Sequence, residues 1–254
     1  MLEERQNIIY GLLKTSGYLT VDEISKKVNY SLPTIRRDLA SMELKGLIKR
    51  VHGGASIADS KSNESSFVIR EQTFIEEKRL MSLEAIKFIK DGMSIMFDAS
   101  STVAQIIILL NQFKNLTCVT NGLGNGQLLS YKTNAKTYII PGEVTKMTNS
   151  TGGIDAIKYV EKFNCDIYFF SCRGFSLEKG ITEASIEQSL IKKKMADNSK
   201  TKVLLIDHSK IDEIFLANSI SVKDIDIIIT TANLSNNYLT FFAEHNIQVI
   251  IPKK

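Results

Sequence analysis

Arg36 and Arg37 follow the hydroxyls of Ser31 and Thr34 within seven residues, a set of donors suited to nucleic acid. Guanidinium groups and hydroxyls at a helix start can hydrogen-bond phosphate oxygens and the acceptor edge of guanine in a major groove. A second set stands at Asp98, Ser100, Ser101 and Thr102, directly ahead of the apolar run 103–110. Hydroxyls and free backbone N–H groups at a helix N-terminus, with the positive end of the helix dipole behind them, make an anion pocket whose natural occupant is phosphate. Lys210 adds a cation and Asp98 and Asp207 add acceptors, so a phosphate carrying hydroxylated carbons would find partners there.

The first set needs a helix to aim it. Ser31 is placed to cap one, Pro33 falls in its first turn, and Leu32, Ile35, Leu39 and Met42 recur at the period of a helix packed on a core. Residues 3–16 form a preceding helix with Ile8, Ile9, Leu12 and Leu13 as its apolar positions. Thr20 and Glu23 fit a capping box that starts a second helix reaching about Val28, and Asn29-Tyr30 makes the turn of a helix-turn-helix. After Gly46, residues 47–51 alternate like a strand, and His52-Gly53-Gly54-Ala55 permits a tight turn into a second one. Residues 1–57 therefore read as a winged helix-turn-helix, with Lys49, Arg50 and His52 as the DNA-facing residues of the wing.

Residues 58–74 read as a linker, polar from Asp59 to Ser66, with the helical pattern starting at residue 67. In the following domain, 75–254, short Ile-, Val- and Phe-rich runs at 93–97, 116–119, 137–140, 167–170, 203–206, 225–229 and 248–251 alternate with helical stretches. That order implies a mostly parallel α/β sheet covered on both faces, with its ligand site beyond the carboxyl ends of the strands. Those ends carry Asp98 to Thr102, then Asn121 and Gly122, Gly142, Arg173 and Gly174, and Asp207 to Lys210.

The helix 31–39 (Ser-x-x-Thr-Ile-Arg-Arg-Asp-Leu) and the wing Arg50-Val51-His52-Gly53-Gly54-Ala55 resemble the DNA-binding domain of DeoR-type bacterial transcriptional regulators. The resemblance covers nearly the whole chain. Arg70 and Glu77-Lys78 match the family's pattern; Asp98 to Thr102 is similar to its Asp-x-Gly-Thr-Thr loop, Thr120-Asn121 to its Thr-Asn, and Ile140-Pro141-Gly142 to its Leu-Gly-Gly. Asp207-His208-Ser209-Lys210 is similar to its Asp-x-Ser-Lys, and Glu187 with Lys192 and Lys193 to its charged helix. Ser100-Ser101 in place of Gly-Thr, and Pro141 in place of Gly, narrow or reshape the pocket. What the resemblance implies is a sensor domain similar to sugar-phosphate isomerases and CoA transferases, responsive to a phosphorylated sugar. It further implies a repressor of a carbohydrate-metabolism operon, and a homodimer or homotetramer is expected because a monomer contacting a few base pairs could not select an operator from a genome.

Composition sets bounds on these expectations. Up to residue 57 there are nine basic and six acidic residues, so +3 of the formal +4 lies in the small N-terminal domain. The charged start and the short apolar runs suggest neither a secretion signal nor a membrane span, which points to the cytoplasm. Cys118, Cys165 and Cys172 read as buried thiols, and neither metal-ligand spacing nor a cofactor motif is present. Gly122-Leu123-Gly124-Asn125-Gly126 follows the second strand with the wrong spacing for a dinucleotide loop. The alternative is an isomerase-like enzyme with an appended DNA-binding domain, with Asp98, Glu183 or Glu187 as base and Lys210 as electrophile. A winged helix used for protein docking is disfavoured by its paired arginines.

Overall fold

A computed structural model describes residues 2–16, 18–45, 47–51, 53–57 and 67–253. The chain divides into two compact units, Met1–Gln72 and Thr73–Lys254.

The first unit contains α1 (Leu2–Ser16), β1 (Tyr18–Thr20), α2 (Val21–Val28), α3 (Leu32–Leu44), β2 (Ile48–Val51), β3 (Gly54–Ile57) and α4 (Phe67–Gln72). Helix α4 lies within the segment 58–74 read as a linker. Ile9, Leu13, Ile24, Ile35, Leu39, Met42 and Ile48 form the buried core of this unit, so the period-3.6 stripe of α3 does face inward. Ile8 is exposed, because the pairs at 8–9 and 12–13 are wider than the single stripe of α1 that meets the core. Thr20 and Glu23 form the capping box at 2.8 and 3.2 Å. Thr20 also ends β1, a three-residue strand that sequence periodicity is too short to reveal.

Ser31 occupies the N-cap position of α3, yet its hydroxyl meets Thr34 Oγ1 at 2.8 Å rather than capping a backbone N–H. Pro33 in the first turn removes one of the donors a capping hydroxyl would accept. In the wing, β3 pairs antiparallel with both β2 and β1. Gly53 turns the chain at φ +77°, and a Cβ on Gly54 would strike the Leu19 carbonyl oxygen and stand 2.7 Å from Tyr18 Oη. Gly54→Ala is therefore expected to cost the winged unit about 1–3 kcal/mol by overpacking, read as a lower urea midpoint by circular dichroism; an unchanged midpoint would mean that β1 yields.

The second unit continues with α5 (Ile75–Ala85), β4 (Ser94–Phe97), α6 (Ser101–Ile107), β5 (Thr117–Thr120), α7 (Leu123–Lys132) and β6 (Lys136–Ile139). Next come the hairpin β7 (Glu143–Thr145) and β8 (Ser150–Gly152), α8 (Ile154–Val160), β9 (Cys165–Phe170), β10 (Gly174–Ser176) and β11 (Gly180–Glu183). The chain ends with α9 (Ile186–Asp197), β12 (Ser199–Ile206), β13 (Ala217–Asn218), β14 (Ile227–Thr230), α10 (Asn236–Glu244) and β15 (Gln248–Ile250). Seven strands form one parallel sheet in the order β15-β14-β12-β9-β4-β5-β6.

Each apolar run read as a strand lies in this sheet. The sixth starts at Ile227 rather than 225, because Ile225 closes a 3-10 turn with its N–H on the Val222 carbonyl. Alternate residues supply two separate cores: Ile95, Phe97 and Phe169 pack with α5 and α6, while Met96, Tyr168 and Phe170 pack with α8, α9 and α10. The continuous hydrophobicity of these strands follows from burial on both faces. Cys118, Cys165 and Cys172 are buried, and burial pushes the thiols of Cys118 and Cys165 up to about 12, so both stay protonated at neutral pH.

Candidate functional site

On the first unit, Arg36 and Arg37 stand exposed on α3, outside the stripe of the buried Ile35, Leu39 and Met42. Ser31 is exposed and Thr34 half-buried at the start of the same helix, so the helix offers its donors from its N-terminal turns. Lys49 and Arg50 are exposed on β2, and the Arg50 backbone N–H donates to Glu43 Oε1 at 3.0 Å, tying the wing to the end of α3. His52 lies outside the described residues.

The acid in the Arg-Arg-Asp run was not singled out by sequence, although Asp38 falls on the stripe of 35, 39 and 42. It is buried and accepts from Arg5 Nη2 at 3.0 Å, while the Arg5 guanidinium lies 4.4 Å over the Tyr30 ring. One ion pair thus fixes the angle of α3 against α1 and against the turn that precedes it. The hydrogen bond with Asp38 holds Arg5 above its ordinary value, so the guanidinium remains charged.

In the second unit the strand order reverses at β4. The chain runs outward through β5 and β6, then returns to β9 on the other side of β4. A crevice beyond the carboxyl ends at such a reversal is where open α/β sheets place ligands. Asp98, at the end of β4, is 4 % exposed and bridges the reversal: Oδ1 accepts the Ser100 N–H at 2.9 Å, and Oδ2 accepts the Ser171 N–H at 3.0 Å. Lys192 of α9, 7 % exposed, donates to the same Oδ2 at 3.2 Å, lies 2.6 Å from Glu183 Oε1 and donates to the Ser171 carbonyl. Desolvation would lower the Lys192 pKa, but Glu183 and Asp98 more than reverse it and hold the group above its ordinary value as an ammonium.

Ser100 is the N-cap of α6, its hydroxyl accepting the Val103 N–H at 3.2 Å. The Ser101 hydroxyl receives Lys78 Nζ at 3.0 Å, from a lysine buried in α5, and Thr102 is buried beside it. From α7, Asn125 Nδ2 donates to the Asp98 carbonyl at 2.7 Å and to the Ser100 carbonyl at 3.3 Å, which clamps this loop from behind. Gly122 packs against the loop so closely that a Cβ would stand 2.8 Å from Ala99 Cα. Asn121 is buried, donates to the Thr151 carbonyl at 3.1 Å and keeps its side-chain oxygen without a hydrogen-bond partner. Gly142, at φ +150°, lies against the Gly152 carbonyl, so the hairpin β7–β8 closes beside Asn121.

Opposite, the Arg173 guanidinium lies 4.9 Å over the Phe215 ring, and a Cβ on Gly174 would enter the backbone of Glu213. Asp207, just beyond the carboxyl end of β12, caps a 3-10 turn, His208–Lys210, accepting the Ser209 N–H at 3.0 Å, and β12 pairs parallel with β9, whose end carries 171–174. Loops 98–102, 121–122, 171–174 and 207–210 therefore meet at one edge. Glu187 does not join them: it is exposed in the first turn of α9, whereas Gln188 and Lys192 are the buried polar residues of that helix. Asn125 is the additional residue that the geometry brings to this edge; Glu183, expected only as a base in the enzyme alternative, and Lys78 and Lys192, marked only by the family resemblance, also reach it. Lys78 shares the buried stripe of α5 with Met81, Ser82 and Ala85, and Lys192 that of α9 with Ile191 and Met195. A lysine on an apolar stripe is the signal in both cases.

The arrangement offers hydroxyl, N–H and ammonium donors around 100–102 and carboxylate and amide acceptors across the crevice. It can hold a small hydroxylated anion. It is poorly arranged for moving protons, because both Asp98 oxygens and the Lys192 ammonium are already committed to fixed partners.

A winged helix with exposed arginines and an α/β unit with a polar crevice define a DNA-binding transcriptional regulator with a sensor unit. Residues 5–61 match the DeoR-like helix-turn-helix domain, and residues 73–232 match the DeoR C terminal sensor domain. The chain is 33% identical over 248 residues to the HTH-type transcriptional regulator GolR of Listeria innocua, covering 98% of each. It is 26% identical to the glycerol-3-phosphate regulon repressor of Escherichia coli, covering 97% of each. A D-ribose-5-phosphate isomerase structure in complex with phospho-erythronic acid overlays 54% of each chain with a TM-score of 0.41 at 17% identity. The chain belongs to the DeoR family of transcriptional regulators. The Listeria innocua and Escherichia coli relatives are both named as regulators. Among the described residues, no helix is long and apolar enough to cross a membrane.

Proposed function

We propose that the chain represses a carbohydrate-metabolism operon and releases its operator when a phosphorylated sugar occupies the crevice at the end of β4. The observation that carries this reading is the buried Lys78 ammonium on Ser101, at the mouth of a loop whose shape Asp98 and Asn125 fix. A phosphate would take the hydroxyl groups of Ser100, Ser101 and Thr102 and the N–H groups of Ser101 and Thr102, while the Ser100 N–H stays on Asp98, and Lys210 would reach it from the facing turn. Asp207 and the Asn121 side-chain oxygen would accept from sugar hydroxyls. The name of the E. coli relative, the glycerol-3-phosphate regulon repressor, agrees with the sign of control.

Ser31, Thr34, Arg36, Arg37, Lys49, Arg50 and His52 would contact the operator. A single winged helix touches too few base pairs to select a site in a genome, so the active species would be a homodimer or homotetramer, in the cytoplasm, with its recognition helices spaced for paired half-sites. Ligand would favour an arrangement that no longer fits that spacing.

A thermal-shift screen with sugar phosphates and the matching free sugars tests the reading: only phosphorylated compounds should raise Tm, and they should be recovered unchanged. Stabilisation by free sugars alone would contradict it, and conversion of a hit to product would favour the isomerase alternative. Lys210→Ala is expected to abolish that stabilisation while operator binding without ligand stays at the wild-type level. A variant that still responds normally would remove Lys210 from the site.

A further inference from the structure

We propose that Glu77 and Lys78, in the first turn of α5, couple an occupied crevice to the chain that leads to the DNA-binding unit. The inference rests on the anion-binding reading above. Helix α5 is the first element of the second unit, its N-cap Phe74 standing two residues beyond Gln72, where the first unit ends. Phe74 is left-handed at φ +52°, a conformation that costs energy in a bulky residue and persists only where neighbours hold it.

Those neighbours connect to both walls of the crevice. Lys78 donates to Ser101 at 3.0 Å on one wall. Glu77 Oε2 accepts from His208 Nδ1 at 3.0 Å, and His208 belongs to the turn that carries Lys210 on the other wall. The same oxygen accepts from Thr231 Oγ1, beyond the end of β14. The His208 ring meets Phe74 edge to face, with centroids 4.8 Å apart. One helical turn therefore holds Ser101 with one side chain and the Lys210 turn with the next, and its left-handed residue packs on that second contact.

An anion on loop 100–102 would compete with Ser101 for the Lys78 ammonium, because charged donors favour charged acceptors. It would also draw Lys210, and with it the turn that carries His208. Both displacements act on the same turn of α5, and the chain leaves that turn through Phe74 toward the first unit. Ligand binding and chain geometry are thereby linked through two named contacts.

Amide hydrogen exchange on the full-length protein, with and without millimolar inorganic phosphate or glycerol 3-phosphate, tests the coupling. In the wild type, exchange at 98–103 and at 73–82 should slow together. In the Glu77→Ala/His208→Ala variant, 98–103 should still respond at a half-saturating concentration within about twofold of wild type, while the response at 73–82 falls by about half or more. His208→Ala alone, altering an exposed side chain, should give the same separation in a variant that keeps Glu77. Slowing at 98–103 with none at 73–82 in the wild type would overturn the coupling and leave the crevice standing. Parallel loss at both segments in the variants would reduce Glu77 and His208 to struts of the site. No slowing at 98–103 in the wild type would remove the anion reading and this inference with it.

Discussion

Asp98→Ala is expected to destabilise the sensor unit by about 3–5 kcal/mol, the cost of removing one partner from a buried, hydrogen-bonded charge cluster. The carboxylate holds the Ser100 and Ser171 N–H groups from opposite sides of the strand reversal and is one of two carboxylates on Lys192. Without it, two backbone donors lose their acceptor and an ammonium 7 % exposed keeps only Glu183 as its counter-charge. Urea unfolding followed by circular dichroism should show a clear drop in midpoint; a change below about 1 kcal/mol would mean that water or Glu183 replaces the missing carboxylate. Asp98 is thus a poor probe of ligand contact, since its removal acts on the frame of the crevice. Lys210, half-exposed in a turn, is the cleaner one.

Arg37→Ala or Arg36→Ala should each weaken binding to the cognate operator by about 1–3 kcal/mol if the residue reads a base edge. Random DNA would be affected less. Equal loss on both DNAs would assign that arginine to phosphate, and the salt slope of log affinity would then fall by about one. The two positions are suited to this measurement because both side chains are exposed and outside the core stripe of α3. Their replacement leaves Ile35, Leu39 and Met42 packed. Asp38 is different in kind: Asp38→Ala would release α3 from Arg5 and weaken binding to every DNA alike through a lost helix angle.

How legible these features were depended on the source of the forces acting on each residue. The seven sheet strands could be read because burial on both faces makes each a continuous apolar run. The capping box could be read because Thr20 and Glu23 bond within four residues of sequence. Strands β1, β7, β8, β10, β11 and β13 are two to four residues long and rich in Gly, Ser and Thr, so no period develops in them.

Helix α9 departs from the usual pattern at four positions. Ile186 and Leu190 are exposed, while Gln188 and Lys192 are buried. Lys192 is stabilised inside by Glu183 and Asp98, residues brought from two other strand ends; its place on an apolar stripe marks it, but its partners are set by the fold. The rims at 98–102, 121–122, 171–174 and 207–210 were legible because strand ends in a parallel sheet fall on one edge. Asn125 of α7 was not, because the rotational phase of that helix is set by packing, and Lys78 and Lys192 were marked only by the family resemblance and by standing on apolar stripes.

Ligand control of DNA binding is tested most directly by titrating the operator complex of the full-length protein with a sugar phosphate that raises its Tm. Operator affinity should fall by about 5–150-fold at saturation, the range of ordinary allosteric coupling, and the matching free sugar should leave it unchanged. An operator affinity that stays constant while the same compound demonstrably binds would contradict the account.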